Sequence, residues 1–203
     1  MDTKQKPSIA AFDFDGTITK VDTFVDFIIK NCKLSCLFSA IGINFFPLVL
    51  CFVKVGSFGV LKERIFSRLF KGISEDKFNE MCFSYSLKRL PEIINKEALE
   101  KIKWHMVRGH KLVIVSASIK NWIEPWAKNN GFEKVISTEP EAKNGVLIDK
   151  FKTKNCNGSE KVVRFLKEYP NRESYYLYAY GDSYKDKQLL DLADEKFFRT
   201  FYK

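Results

Sequence analysis

The sequence of 203 residues is poor in the residue types that mark specialised protein classes. Glycine occurs 10 times and proline 6 times, too few for a collagen-like chain or an extended linker. There are two histidines and no C-x-x-C pair, which argues against a structural zinc site even though Cys32 and Cys36 lie four residues apart. The cysteines are therefore expected to be reduced, mostly buried thiols in a cytosolic setting. No apolar signal core follows the first residue, so export is not expected.

The overall composition is that of a folded globular protein with a basic surface. Hydrophobic residues make up 45% of the chain and charged residues 29%, which excludes wholesale disorder. The length predicts one domain, or one core domain with an insert. Lysine and arginine outnumber acidic residues by 34 to 25, a formal charge of +9. This excess favours anionic partners such as nucleic acid, acidic lipid or a phosphorylated substrate, or is simply a solvated basic face.

Short apolar runs alternate with helical patterns in the second half of the chain. Strands are predicted at Ile9–Phe12, Leu112–Val115, Val135–Ser137 and Tyr175–Tyr180. This alternation predicts an α/β fold with a parallel sheet and helices on both faces.

The region between the first two predicted strands reads as helical throughout. Ser74 is expected to cap a helix to about Arg89, and Pro91 to open another that runs to Gly109. We therefore predict an α/β core of residues 1–19 and 106–203, with an all-helical insert of residues 20–105 after the first strand.

For two segments of this insert, the sequence allows more than one environment. Leu34–Val53 carries no charge but contains Pro47. It is interpreted as a helical hairpin inside the insert or as a membrane-docking element; a spanning helix is disfavoured, because Pro47 would break or kink it. The following segment, Gly59–Lys71, is a basic amphipathic helix that fits either an anionic membrane surface or an ordinary packed position.

Acidic residues follow two of the predicted strands. Asp13 and Asp15 come directly after the first strand, and Asp182 follows the fourth. Carboxyl ends of parallel strands meet at one edge of a sheet, so these side chains are expected to converge. Clustered carboxylates repel each other unless a cation neutralises them, and oxygen ligands suit Mg²⁺.

The other strand and helix ends supply groups that bind phosphate. Ser116 offers a hydroxyl and backbone N–H groups after the second strand, and Lys161 offers positive charge at the start of a helix. The combination predicts phosphoryl transfer, with a carboxylate placed for attack.

The same residues carry a resemblance to a known family. The segments DFDGT (Asp13–Thr17), VIVSAS (Val113–Ser118), Lys161 and GDSYKD (Gly181–Asp186) resemble, in order, the motifs of the haloacid dehalogenase superfamily in its phosphatase branch. The resemblance covers nearly the whole chain and implies a Rossmann-like core with a C1-type helical cap.

That resemblance also implies a role for each residue. Asp13 would be the nucleophile that forms an aspartyl-phosphate, and Asp15 the acid and base. Mg²⁺ would be held by Asp13, Asp182 and the backbone carbonyl of Asp15, with Asp186 orienting the water shell of the metal. The phosphoryl oxygens would be bound by three residues, namely Ser116, Ala117 and Lys161.

Two subfamilies remain open for the substrate. The layout resembles subfamily IB, which contains phosphoserine phosphatases; Asp22 stands where they carry a substrate-reading Glu. This chain departs from them at Gly16, where they have Ser, and at Ala117-Ser118, where they have two glycines. The apolar run and the basic segment are similar in layout to bacterial phosphatidylglycerophosphatase C.

The expected function is thus Mg²⁺-dependent hydrolysis of a phosphomonoester, either a lipid phosphate or a small soluble ester, in the cytoplasm or at the cytoplasmic face of the membrane. An idle interaction protein is the non-enzyme alternative, and the absence of a zinc-finger or RNP motif argues against a nucleic-acid binder.

Overall fold

The computed structural model describes residues 6–32 and 58–201. Its strands are β1 (Ser8–Phe12), β2 (Lys111–Ile119), β3 (Lys134–Thr138), β4 (Pro140–Lys143), β5 (Val146–Phe151), β6 (Tyr176–Gly181) and β7 (Glu195–Phe198). Its α-helices are α1 (Thr23–Asn31), α2 (Phe58–Phe70), α3 (Glu75–Lys88), α4 (Leu90–Ile93), α5 (Lys96–Val107), α6 (Lys120–Asn129), α7 (Ser159–Glu168) and α8 (Lys187–Leu192).

The centre of the fold is a parallel sheet with the strand order β3-β2-β1-β6-β7. The middle strand β1 is an apolar run whose Ala10, Ala11 and Phe12 are fully buried. A strand covered on both faces needs such a continuous run rather than an alternating one. The predicted α/β class, with a parallel sheet flanked by helices, is confirmed.

The described residues between β1 and β2 form helices and no strand. The predicted helix from Pro91 to Gly109 is interrupted, however. It divides into α4 and α5 because Ile94 and Asn95 are extended, and the Asn95 side chain accepts a hydrogen bond from Glu97 N to cap α5. The last turn of α5 contacts the sheet, since His105 hydrogen-bonds the Tyr180 hydroxyl. The division into a core and a cap at residues 20–105 stays a prediction.

The basic amphipathic helix α2 is packed against the protein by its apolar face. Phe66 and Phe70 are 1% exposed and contact the ring of Phe78 on α3. Phe66 also contacts Phe151 of the antiparallel hairpin β4–β5, which turns at Asn144-Gly145. Of the two interpretations of this helix, the structure favours the ordinary packed one, because the face that would enter a membrane is already covered.

The described residues contain no helix with both the length and the apolar character needed to cross a bilayer. The run Leu34–Val53 lies outside the described residues, so the alternatives for that segment stay open.

Candidate active site

A single wide turn, Phe14–Ile18, positions the two acidic residues that follow β1. Asp13 N donates to the carbonyl of Tyr180 on β6, which extends the sheet contact one residue past the strand. Gly16 has a φ of 75°, a conformation that side-chain-bearing residues rarely adopt. Phe14 and Ile18 are fully buried and anchor the turn, so Asp13 and Asp15 project at the carboxyl edge of the sheet.

Asp13 belongs to a buried ion cluster. Lys161 Nζ, from the first turn of α7, lies 2.6 Å from Asp13 Oδ1 and 2.5 Å from Asp186 Oδ1. All three side chains are at least nine-tenths buried. Burial raises the pKa of Asp13 to about 8 against the attraction of Lys161. For Asp186, burial also acts to raise the pKa, but Lys161 and hydrogen bonds from Ser183 outweigh it and hold the pKa low.

The second acidic motif, Gly181–Asp186, begins at the end of β6, and Asp186 hydrogen-bonds to earlier residues of the same motif. Its Oδ2 accepts from the backbone N–H groups of Asp182 and Ser183 and from the Ser183 hydroxyl. Gly181 is required here, since a Cβ at that position would lie 2.5 Å from the Asp186 Cβ. The motif holds Asp182 so that one of its carboxylate oxygens lies within 4.8 Å of an oxygen of Asp13.

These carboxylates fit a hard divalent cation. Asp13, Asp182 and Asp186 each bring an oxygen within 4.8 Å of the others. Asp13 and Asp186 share one ammonium group, so with both carboxylates ionised the cluster is one positive charge short of neutrality. Asp186 already accepts four hydrogen bonds, which suits an orienting role, whereas Asp13 and Asp182 are better placed as ligands.

The Asp15 carboxylate faces a different environment, made of neutral donors. Its Oδ1 accepts from Thr23 N at 2.9 Å and from Thr23 Oγ1 at 2.5 Å. Burial raises the pKa of Asp15, and the charge of Asp22 adds to this effect, while Lys62 and the bonds from Thr23 oppose it. The predicted use of its backbone carbonyl as a metal ligand stays a prediction.

The end of β2 lies across the cavity from these carboxylates. Ser116 is 1% exposed and its hydroxyl accepts from Ser118 N at 3.1 Å. The Ala117 carbonyl accepts from Lys62 Nζ at 2.7 Å and from the Thr138 hydroxyl at 2.9 Å. The predicted phosphate-binding residues Ser116, Ala117 and Lys161 thus line the same cavity as Asp13, Asp15 and Asp182.

Asp22 lies at the exposed side of this cavity and has a structural role as well. It is the N-cap of α1, where its Oδ1 accepts from Val25 N at 3.0 Å. Its other oxygen is not used by the cap.

Sequence reasoning missed several residues that line this cavity of about 290 Å³, namely Lys20, Lys62, Asn155, Asn157 and Lys185. Lys62 is the most informative, because it is 6% exposed and its ammonium lies 4.6 Å from the centre of the Phe24 ring. Burial lowers the pKa of Lys62, opposed by Asp15 and Asp22. The available signal was its place on the apolar stripe of α2, four residues before Phe66.

Comparison with known proteins agrees with this geometry. The chain is 28% identical over 197 residues to protein CicA of Caulobacter vibrioides, covering 97% of this chain and 87% of that protein. A protein of unknown function from Bordetella pertussis Tohama I shares the fold, with a TM-score of 0.80 at 17% identity over 95% of this chain and 89% of that one. A phosphoserine phosphatase solved as a phospho-aspartyl intermediate analogue has a TM-score of 0.63 at 20% identity, covering 95% of this chain and 86% of that one.

The family is settled by the sequence match. Residues 10–191 match the haloacid dehalogenase-like hydrolase family, a stretch that includes every motif residue from Asp13 to Asp186. The expectation of an enzyme of this class is therefore confirmed. The chain belongs to the haloacid dehalogenase-like hydrolase family.

Proposed function

We propose that the protein is a Mg²⁺-dependent phosphomonoester hydrolase that acts through an aspartyl-phosphate on Asp13. The observation that carries this proposal is the cluster of Asp13, Lys161 and Asp186, a buried pair of carboxylates with a single ammonium, opposite Ser116. Such a cluster has a nucleophile, a cation for a phosphoryl oxygen and a need for further positive charge. The fold shared with a phosphoserine phosphatase that was solved as a phospho-aspartyl analogue supports it.

In the first step, an oxygen of Asp13 attacks phosphorus as the bond from phosphorus to the leaving oxygen breaks. Asp15 gives its proton to that leaving oxygen, so the product departs as a neutral alcohol. Lys161 and Ser116 are the groups that bind the phosphoryl oxygens during transfer.

In the second step, water attacks the phosphorus of the aspartyl-phosphate. Asp15, now ionised, accepts a proton from that water, and the bond from phosphorus to Asp13 breaks. Inorganic phosphate leaves, Asp13 is a carboxylate again and Asp15 is reprotonated, so both residues return to their starting states.

The metal is assigned to particular groups of this chain. Asp13, Asp182 and the backbone carbonyl of Asp15 would hold Mg²⁺, with Asp186 orienting its water ligands. When bound, the ion supplies positive charge for the phosphoryl oxygens and lets Asp13 stay ionised in a buried position.

The substrate is inferred to be a small polar ester rather than the lipid phosphate that the layout also allows. Among the described lining residues, Val21 and Ala117 are the apolar ones, while lysine, asparagine and aspartate make up most of the rest. A lipid such as phosphatidylglycerophosphate would need an apolar surface for its tails, and the candidate for that surface, Leu34–Val53, lies outside the described residues. A small soluble ester implies a location in the cytoplasm, whereas a lipid phosphate would imply the cytoplasmic face of the membrane.

The test is phosphate release from phosphoserine, small sugar phosphates and phosphatidylglycerophosphate in mixed micelles, with Mg²⁺ or with EDTA. We expect release by the unaltered protein that requires Mg²⁺ and is absent in Asp13→Asn. Release that persists in Asp13→Asn, or no release from any ester, would contradict the proposal. A strong preference for the micellar lipid would overturn the choice of a small ester and leave the chemistry intact.

A further inference from the structure

The side chain of Thr23 lies between the carboxylate of Asp15 and two buried polar groups. Its hydroxyl lies 2.8 Å from Ser118 Oγ, and Trp122 Nε1 donates to it at 3.2 Å. Thr23, Ser118 and Trp122 are all fully buried. We call these three residues the Thr23 network.

The directions of these hydrogen bonds follow from counting protons. An indole N–H can only donate, so Thr23 Oγ1 accepts from Trp122. The Thr23 hydroxyl has one proton, and the contact of 2.5 Å with Asp15 Oδ1 uses it. Ser118 must therefore donate to Thr23, which fills the hydrogen-bonding capacity of that hydroxyl.

Both bonds from Thr23 to Asp15 end on the same oxygen. Oδ1 accepts from the backbone N–H and from the hydroxyl of Thr23. Within residues 6–32 and 58–201, no hydrogen bond reaches Oδ2. Oδ1 already faces two donors, so Oδ2 is the oxygen of Asp15 that is left to contact a substrate.

We propose that Thr23 is a positioning residue, held by Ser118 and Trp122, which fixes the rotamer of Asp15 so that Oδ2 is the oxygen that meets the leaving group. The inference rests on the proposed function, since it concerns the proton that Asp15 gives to the leaving oxygen. The network also connects Asp15 to a predicted phosphate-binding residue, because Ser118 N donates to the hydroxyl of Ser116.

A purely structural role predicts a different outcome from a positioning role. If the network only satisfies buried polar groups, its loss lowers stability and affects every substrate alike. If it orients the acid, its loss matters most for esters whose leaving alcohol needs a proton, and least for esters with a good leaving group.

The test compares kcat/KM for phosphoserine and for p-nitrophenyl phosphate, which has a much better leaving group. Thr23→Val removes the hydroxyl and keeps the backbone N–H, Thr23→Ser keeps the hydroxyl, and Ser118→Ala leaves Trp122 paired. The matched control, Thr153→Val, removes a hydroxyl that hydrogen-bonds Glu139 N and lines no part of the cavity.

We expect Thr23→Val to lower the ratio of phosphoserine to p-nitrophenyl phosphate turnover by about tenfold or more. Ser118→Ala is expected to lower it less, and Thr23→Ser and Thr153→Val to leave it near that of the unaltered protein. Equal losses on both esters in Thr23→Val, or a Thr23→Ser variant as impaired as Thr23→Val, would overturn the inference alone. Should phosphoserine not be hydrolysed, the comparison uses whichever small ester of the earlier test is; if the unaltered protein hydrolyses no ester at all, the proposed function itself fails.

A crystal structure of Thr23→Val provides a readout that needs no activity. The proposal predicts that the Asp15 carboxylate rotates away from its position in the unaltered protein. An unchanged Asp15 rotamer would overturn the proposal whatever the kinetics.

Discussion

Asp13 and Asp15 stand two positions apart in one turn and burial raises the pKa of both, yet their carboxylates have different hydrogen-bond partners. Asp13 contacts the ammonium of Lys161, which it shares with Asp186. Asp15 accepts from the neutral N–H and hydroxyl of Thr23. A nucleophile must be ionised, which a fixed cation favours, whereas an acid must be able to hold a proton, which neutral donors permit. This difference supports the proposal that Asp13 attacks and Asp15 transfers the proton, provided that a bound cation offsets the burial that raises the pKa of Asp13.

The largest effect is expected from removing the charge of Asp13. In Asp13→Asn the attacking oxygen is lost, so phosphate release should fall by on the order of 10⁴-fold or more. The measurement is Mg²⁺-dependent phosphate release, and circular dichroism checks that the fold is retained. Near-normal turnover would show that attack does not come from Asp13.

Removing the charge of Asp15 should leave a slow enzyme rather than a dead one. Asp15→Asn keeps the acceptor for Thr23 but can neither give nor take the catalytic proton, so turnover should fall by about 10²–10⁴-fold. Rapid-quench kinetics should show that formation and hydrolysis of the phospho-enzyme are both slower. If neither step changes, Asp15 is not the acid and base.

The ion cluster can be tested through stability. Lys161→Met leaves two buried carboxylates without their cation and is expected to lower the free energy of unfolding by about 3–5 kcal/mol in urea at neutral pH. The control is Lys71→Met, which breaks the exposed pair with Asp149 and should change stability little. Equal effects of the two variants would contradict the buried pairing.

His105, which lies outside the candidate site, is expected to make the stability of the protein depend on pH. Burial lowers the pKa of His105 to about 3, below its ordinary value of 6.5. As the pH falls below about 6.5, His105 binds a proton in the unfolded chain but not in the folded protein. The free energy of unfolding therefore decreases by about 1.4 kcal/mol per pH unit. His105→Gln stays neutral, so its urea unfolding should depend less on pH between about 6.5 and 5. An unchanged pH dependence would rule out His105 as its source.

The smallest effect is expected at Asp22. Asn is as good an N-cap as Asp, so Asp22→Asn should keep the stability of α1. If Asp22 also contacts the substrate, KM should rise a few-fold with little change in kcat. A loss of stability would show that the charge is needed by the helix, and an unchanged KM would remove Asp22 from substrate binding.

The parts of the site that depend on local sequence patterns could be predicted from the sequence. Asp13 and Asp182 directly follow β1 and β6, whereas Ser116, predicted to follow its strand, lies in the last part of β2. Because parallel strands bring their carboxyl ends to one edge, the placement of these residues in one cavity was predictable from the parallel sheet.

The rest depends on contacts between distant residues; a local pattern can mark such a residue as buried but does not identify its partner. Lys62 reads as one more basic residue of α2 until packing brings it to the Ala117 carbonyl, 55 residues away in sequence. Thr23 and Ser118 are separated by 95 residues, and their contact depends on how α1 packs at the end of β2. The break between α4 and α5 was missed because the cap at Asn95 competes with an otherwise continuous helical pattern.

The central claim is that phosphate passes through a covalent bond to Asp13, and one experiment addresses it most directly. Asp15→Asn, in which hydrolysis of the intermediate should be slow, is mixed with Mg²⁺ and phosphoserine, quenched in acid, digested and examined by mass spectrometry. The account predicts one added phosphoryl group on the peptide that contains Asp13, located on Asp13 by fragmentation and absent in Asp13→Asn. Turnover with no covalent phosphate, or with the phosphoryl group on another residue, would contradict it.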